Sequence, residues 1–197
     1  MNRKRVAILI SGRGSNMAAL IAAAKASDYP AEIIGVISNT PSAAGLETAR
    51  AEGLATAVIR LKDHSDKTAA DAAISARLRE WQVDLVCLAG FMRLLGPEFC
   101  TAWQGRVLNI HPALLPEFPG LDTHARALAA GVAEHGCTVH FVTAGMDEGP
   151  IVGQARVPVL AGDTPETLAA RVLAEEHRLY ADCLAKVARG EIAWTGQ

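Results

Sequence analysis

Apolar positions along the chain fall into short unbroken runs, separated by glycine turns and amphipathic stretches. Residues 6–10 are apolar throughout with no alternation, the pattern of a strand covered on both faces. Similar runs recur at 32–38 (Ile33, Ile34, Val36, Ile37), 55–59, 84–89 and 107–111. Helical patterns lie between them at 17–25, 43–52 and 68–81, the last with Ala72, Ile74, Leu78 and Trp81 near one face. Gly53 reads as a helix-ending residue, residues 61–67 as a polar loop, and Pro97 as the opening of a short helix to 103. This alternation predicts a parallel, right-handed wound sheet. Past residue 120 the pattern changes. A helix at 123–130 leads to an alternating strand at 137–142, whose more polar face carries Thr138 and His140, then to a loop at 143–150 and a strand at 151–157. The last two strands read as a hairpin. A final helix starts at Asp163-Thr164-Pro165-Glu166, a capping sequence with proline in the first turn, and runs to residue 189. The expected fold class is α/β: a Rossmann-like wound, mostly parallel sheet with an antiparallel carboxyl-terminal hairpin and flanking helices. With no repeat or linker in the sequence, residues 1–197 are expected to form a single domain. The pattern leaves open whether 191–194 adds a short strand.

Ligands of such sheets bind outside the carboxyl ends of the strands. Three stretches share that rim: Gly12–Asn16, residues 90–95, and Asn109-Ile110-His111-Pro112. Asn109 and His111 are one residue apart on a strand and point to the same side. Pro112 ends the ladder, and Pro116 and Pro119 are expected to keep the following turns extended. A donor pair at a strand end suits a developing oxyanion; a hydrogen-bonded strand histidine beside a turn-forming asparagine fits the same residues. In Ser11-Gly12-Arg13-Gly14-Ser15-Asn16 the glycines permit a tight turn that aims free N–H groups at an anion, with Ser15 or Asn16 as helix cap or anion contact. Plain turn chemistry is the alternative. The stretch is not a dinucleotide fingerprint, because Met17 stands where the third glycine would be, and Ser38-Asn39 lack the acidic residue that a nicotinamide cofactor's ribose needs. On the final helix Glu176 interrupts the apolar stripe of Leu168, Val172, Tyr180, Cys183 and Val187. A carboxylate there needs a partner, either a core donor or a ligand bearing hydroxyl or amine groups.

Half the residues are hydrophobic and the net charge is −2, which argues against general binding to nucleic acid or a membrane surface. Cys87, Cys100, Cys137 and Cys183 have no metal-like spacing and read as buried thiols in a reducing compartment. The basic start is followed by too short an apolar run for a signal peptide, so a cytoplasmic protein is expected. His124, His135 and His140 match no zinc spacing, and no metal is expected; His140 is placed beside the site rather than in it.

Three stretches together resemble the formyltransferase family that uses 10-formyltetrahydrofolate: Ile10–Asn16; Ala89–Leu95 with Asn109–Pro116; and Glu134–Thr143 leading to Asp147. The resemblance runs in order over nearly the whole chain and is strongest to the branch that formylates the amine of 5'-phosphoribosylglycinamide in purine biosynthesis. It implies direct formyl transfer through an oxyanion, with no covalent enzyme intermediate. It makes Asn109, His111 and Asp147 the catalytic residues, although Asp147 alone reads as a turn aspartate before Gly149. It puts the substrate phosphate on Gly14, Ser15 and Asn16 and the substrate ribose on Glu176. It puts the folate ring against the backbone at Met92, Arg93, Leu94 and Leu95 and against Thr143, Ala144, Gly145, Met146 and Asp147. Lys67 stands where the family carries a basic residue for the folate glutamate tail, and reads equally as a solvated surface lysine. Monomer and homodimer both remain open.

The rivals are a formyltetrahydrofolate deformylase, a methionyl-tRNA formyltransferase and a non-catalytic nucleotide-binding module. The first is expected to carry a preceding regulatory domain and the second a further carboxyl-terminal domain, whereas the first strand here begins at Val6 and the chain ends at Gln197. Against the family pattern, Ala113 replaces a common serine and Leu173 stands where a polar or cationic side chain can approach the phosphate. Arg13 in the glycine turn is expected to compensate for Leu173. Arg13→Ala should then raise KM for the phosphorylated amine substrate roughly tenfold, the equivalent of one charge-assisted hydrogen bond. An unchanged KM in steady-state kinetics removes Arg13 from the phosphate.

Overall fold

A computed structural model describes residues 3–196. Its strands are β1 (Lys4–Ile10), β2 (Ala31–Ser38), β3 (Ala55–Val58), β4 (Leu85–Leu88), β5 (Val107–His111), β6 (Glu134–Phe141) and β7 (Ile151–Pro158). The helices are α1 (Ser15–Ala24), α2 (Gly45–Ala51), α3 (Lys67–Glu80), α4 (Pro97–Ala102), α5 (Thr123–Ala130) and α6 (Pro165–Arg189), with a single 3₁₀ turn at Leu61–Asp63. The strands form one sheet in the order β3-β2-β1-β4-β5-β6-β7. Every pair from β3 to β5 is parallel; β5–β6 and β6–β7 are antiparallel.

The uninterrupted apolar runs follow from cover on both sides. Ile8 and Ile10 of β1 join one core with Met17, Leu20, Leu46 and Tyr180, while Ala7 and Leu9 join the other with Ile74, Leu78, Phe99 and Trp103. Helix α6 packs across β6 and β7 and against α1. All four cysteines are buried and unpaired by disulfide. Burial pushes the thiols of Cys87 and Cys137 up to about 12 and that of Cys183 up to about 11. No helix among the described residues is long and apolar enough to cross a membrane.

Several boundaries differ from the sequence pattern for local reasons. Helix α3 begins at Lys67, one residue early, because Asp66 caps it by accepting the Ala69 N–H at 2.8 Å. Ala72 is exposed, and the buried face carries Asp71 and Ser75 beside Ile74 and Leu78. Strand β6 starts at Glu134 rather than 137, because pairing with β7 continues as far as Glu134–Pro158. Past Gly190 the described residues form no strand; Trp194 instead sets its ring edge-to-face on Phe141, with centroids 5.7 Å apart.

Tyr180 on α6 is fully buried, and its hydroxyl lies 3.0 Å from both the Leu88 and the Leu108 carbonyl oxygens. It therefore ties the end of β4 to the start of β5, just before the loop that follows β4. Tyr180→Phe would leave both acceptors dry, at a cost of about 1–3 kcal/mol. The expected result is a lower urea midpoint with an unchanged slope; an unchanged midpoint would show that the two carbonyls do not need the hydroxyl.

Candidate active site

Asn109 and His111 project from the same face of β5, opposite His140 and Thr138 of β6. Asn109 Nδ2 lies 3.2 Å from His140 Nε2, and His140 Nδ1 lies 2.9 Å from the Phe141 carbonyl oxygen. A carbonyl only accepts, so Nδ1 carries a proton, and Nε2 is the nitrogen that faces the Asn109 amide. One further N–H of that amide is available to another acceptor. His140, set beside the site on sequence grounds, stands between Asn109 and Asp147, whose Oδ1 is 3.6 Å from its Nε2.

Asp147 joins the two loops around the site. Its Oδ2 lies 3.3 Å from His111 Nδ1 and accepts the Gly120 N–H at 3.0 Å. The residue sits in the left-handed region, φ 55°, which aspartate tolerates better than most. Gly149 closes the same loop, since a Cβ there would meet the Phe141 carbonyl oxygen at 1.7 Å. Burial pushes the Asp147 carboxyl up, but the His140 contact, the Gly120 amide and the two imidazoles outweigh it and hold it below its ordinary 3.8. Asp147 is therefore an anion at neutral pH. His111 also faces the Phe118 carbonyl oxygen through Nε2, at 2.9 Å. With oxygen acceptors at both nitrogens, the doubly protonated ring uses both N–H groups.

The proline loop is not simply extended. Phe118 and Asp122 both adopt left-handed backbone, φ 51° and 55°, and the Leu115–Pro116 bond is cis. The chain is turned back by anchors that the sequence reading missed. Thr138 Oγ1 donates to the Ala113 carbonyl at 2.7 Å and accepts the Leu115 N–H at 3.0 Å, while Gln154 Nε2 donates to the Leu115 carbonyl at 2.8 Å. The polar face of β6 was the available signal for Thr138; nothing in the pattern marked Gln154. This return brings the Phe118 carbonyl onto His111.

The glycine turn lies beside this centre, where β1 and β4 diverge. Gly14 caps α1 in left-handed backbone, φ 74°, and no side chain caps the helix, so neither Ser15 nor Asn16 does so. The first-turn amides are left to an anion, and no acidic residue occupies that turn. A cleft of about 180 Å³ opens there, lined by Gly12, Arg13, Gly14, Ser15, Asn16 and the Ala89–Gly90 backbone. Asn16 Nδ2 donates to Glu176 Oε2 at 2.6 Å, which answers the question of a partner for this buried carboxylate. Burial outweighs that single bond and holds the Glu176 carboxyl above its ordinary value. Asn16 Oδ1 is buried with no partner among the described residues. Leu173, on the same helix, is half-buried.

Met92 and Leu94 are exposed, as are Ala144 and Met146, with Gly145 half-buried and Thr143 Oγ1 3.4 Å from the Gly145 carbonyl oxygen. Arg93 and Leu95 turn inward. Lys67 is exposed in the first turn of α3 with no ion pair among the described residues. Behind His111, the rings of His124 and His135 meet edge-to-face at 5.2 Å; burial holds both below the ordinary imidazole value, His135 at about 4, so both are neutral.

Residues 4–184 match the family model described as formyl transferase. The chain belongs to the formyl transferase family. It is 47% identical over 190 residues to the trifunctional purine biosynthetic protein adenosine-3 of Bos taurus, covering 96% of this chain but 19% of that one. This formyl transferase chain thus spans about a fifth of the length of that relative. It is 45% identical to the phosphoribosylglycinamide formyltransferase of Escherichia coli (strain K12), covering 89% of this chain and 82% of that one. The crystal structure of a phosphoribosylglycinamide formyltransferase from Brucella melitensis superposes with a TM-score of 0.92 at 57% identity, over 97% of this chain and 98% of that one. A formyltetrahydrofolate deformylase from Pseudomonas syringae is more distant, at 28% identity and a TM-score of 0.88, and this chain covers 62% of it.

The raised pKa of Glu176 has a checkable sign. The folded state favours its protonated form, so stability falls as pH rises from the ordinary value of 4.5 through the folded value, then levels off. Glu176→Gln keeps an acceptor for Asn16 and removes the charge. It should be more stable than the parent to urea at pH 7, with the gap closing as pH is lowered to 4.5 and below. A gap independent of pH would show that the carboxylate is not the source.

Proposed function

We propose that this chain transfers the formyl group of 10-formyltetrahydrofolate to the amine of 5'-phosphoribosylglycinamide, as a single formyltransferase domain. The observation that carries the reading is the convergence of Asn109, His111 and Asp147, with the His111–Asp147 contact at 3.3 Å beside an anion-ready helix start. The relatives named for this reaction support it.

In this reading the glycine turn holds the substrate phosphate on the first amides of α1, with Arg13 supplying the cation that Leu173 does not. Glu176 and the unpartnered Asn16 Oδ1 accept from the ribose hydroxyls. The folate ring lies against the backbone of 92–95 and 143–147, and Lys67 meets its acidic tail. The amine attacks the formyl carbon, and the formyl oxygen gains charge as the new C–N bond forms. The free Asn109 N–H donates to that oxygen, joined by the His111 Nε2–H once it turns from the Phe118 carbonyl to the substrate. Asp147 stabilises the imidazolium and takes part in moving the proton from the amine to the departing folate nitrogen, directly or through water. His140, its ring held by the Phe141 carbonyl, orients Asn109.

The test is tetrahydrofolate release from 10-formyltetrahydrofolate, with and without 5'-phosphoribosylglycinamide. Release only with the amine is expected. His111→Ala and Asp147→Asn should each lower kcat by roughly 100-fold or more, the scale of losing an oxyanion donor or its charge partner. Release without the amine would make the chain a deformylase. No release, with saturable binding of a phosphorylated ligand, would reduce Asn109 and His111 to ordinary strand-end residues.

A further inference from the structure

The buried face of α3 carries one carboxylate. Asp71 is 3% exposed, with the apolar Ala70, Ile74 and Leu78 beside it on the helix. A carboxylate in such a place is kept only with donors or a counter-charge. Both of its partners come from one loop, residues 89–96. Oδ1 lies 2.6 Å from Arg93 Nη2, and Oδ2 accepts the Gly96 N–H at 2.7 Å. The Arg93 side chain is itself only 12% exposed, and its guanidinium stands 5.6 Å from the centre of the Phe91 ring. It meets Asp71 as an ion pair without hydrogen-bond alignment. Replacing or removing either charge would strand the other in a dry contact.

This pair decides which way the loop faces. Drawing Arg93 inward turns its neighbours outward: Met92 is 66% and Leu94 49% exposed, while Leu95 is buried. The other end of the loop is held by Ser11, whose Oγ accepts the Met92 N–H at 2.8 Å and donates to Asn39 Oδ1 at 2.6 Å. Between these anchors the amides of Arg93, Leu94 and Leu95 make no intrachain hydrogen bond among the described residues. A row of unengaged backbone donors, held at both ends, is what a heterocycle with ring nitrogens and a carbonyl would read.

We propose that Asp71 is a positioning residue for the folate co-substrate. Acting through Arg93 and the Gly96 amide, it fixes the 92–95 backbone in the orientation that the folate ring meets, without touching the ligand. This rests on the reading of 92–95 as the folate-facing backbone. A plain clamp between α3 and the loop would be felt in stability, and equally by both substrates.

The test compares the parent chain with Asp71→Asn, Arg93→Met and the double variant, by steady-state kinetics in each substrate and by calorimetric binding of 5-formyltetrahydrofolate. Asp71→Asn should raise KM for 10-formyltetrahydrofolate by about tenfold or more and weaken 5-formyltetrahydrofolate to match, leaving KM for 5'-phosphoribosylglycinamide within about twofold. The double variant should lose less than the product of the single losses, since it strands no charge. Should Asp71→Asn not fold, Arg93→Met reads the same split. Equal changes in both KM values, or a lowered melting temperature with unchanged folate binding, would overturn the proposal alone. A parent chain that binds no 5-formyltetrahydrofolate would overturn the folate reading of the loop and this proposal with it.

Discussion

The site depends on a reversal of winding. A right-handed crossover can cover only one face of a parallel sheet for as long as the chain steps in one direction. From β1 the chain steps outward to β2 and β3, then returns across to β4 and steps the other way, so the two faces acquire separate helices. Beyond Ser11 and Gly90, still joined N–H to carbonyl at 3.1 Å, the connections part and leave a crevice between them. The glycine turn, the 89–96 loop and the end of β5 open on that space from distant parts of the sequence. The antiparallel strands then supply what the parallel part cannot. They return the chain beside β5, so that His140 faces Asn109 directly and the loop bearing Asp147 closes over His111.

Two carboxylates near the cleft, Glu176 buried and Asp147 partly so, show how donor supply sets charge. Asp147 has an amide and two imidazoles within reach and stays ionised in spite of burial. Glu176 has one amide and is driven toward its neutral form. The first already has its donors within the fold and is suited to work on a neighbour's proton. The second is short of donors, as is Asn16 Oδ1 beside it, and a ligand offering hydroxyl groups would supply both.

Much of this was legible in the sequence because burial on two faces leaves an unmistakable mark. The runs at 6–10 and 107–111 could be little else than central strands, and the capping sequence at 163–166 set the start of α6 closely. Glu176 announced itself by interrupting an apolar stripe. Asp71 did not, since α3 has a weak stripe in which an inward aspartate looks like one more solvated charge. The return of the proline loop was equally hidden: it depends on Thr138 and Gln154, residues that reach it only after β6 and β7 have paired. Left-handed backbone at Phe118, Asp122 and Asp147 carries no glycine to give it away. The central position of His140 follows from register, and neither strand's own pattern names the residue it will face across the pair.

The burial of the four cysteines gives the folded molecule a chemical silence. A thiol reacts as thiolate, and three of the four are held at about 11 or 12 by the apolar surroundings that also shut out solvent. At neutral pH the native chain therefore offers an alkylating or oxidising reagent almost nothing to attack. Cys87 and Cys137 lie in central strands and Cys183 on the helix that crosses them, so exposing them means dismantling the sheet itself. The rate at which these thiols become labelled is thus a clock for opening of the whole fold, kept by the protein's own side chains and independent of the chemistry at its rim.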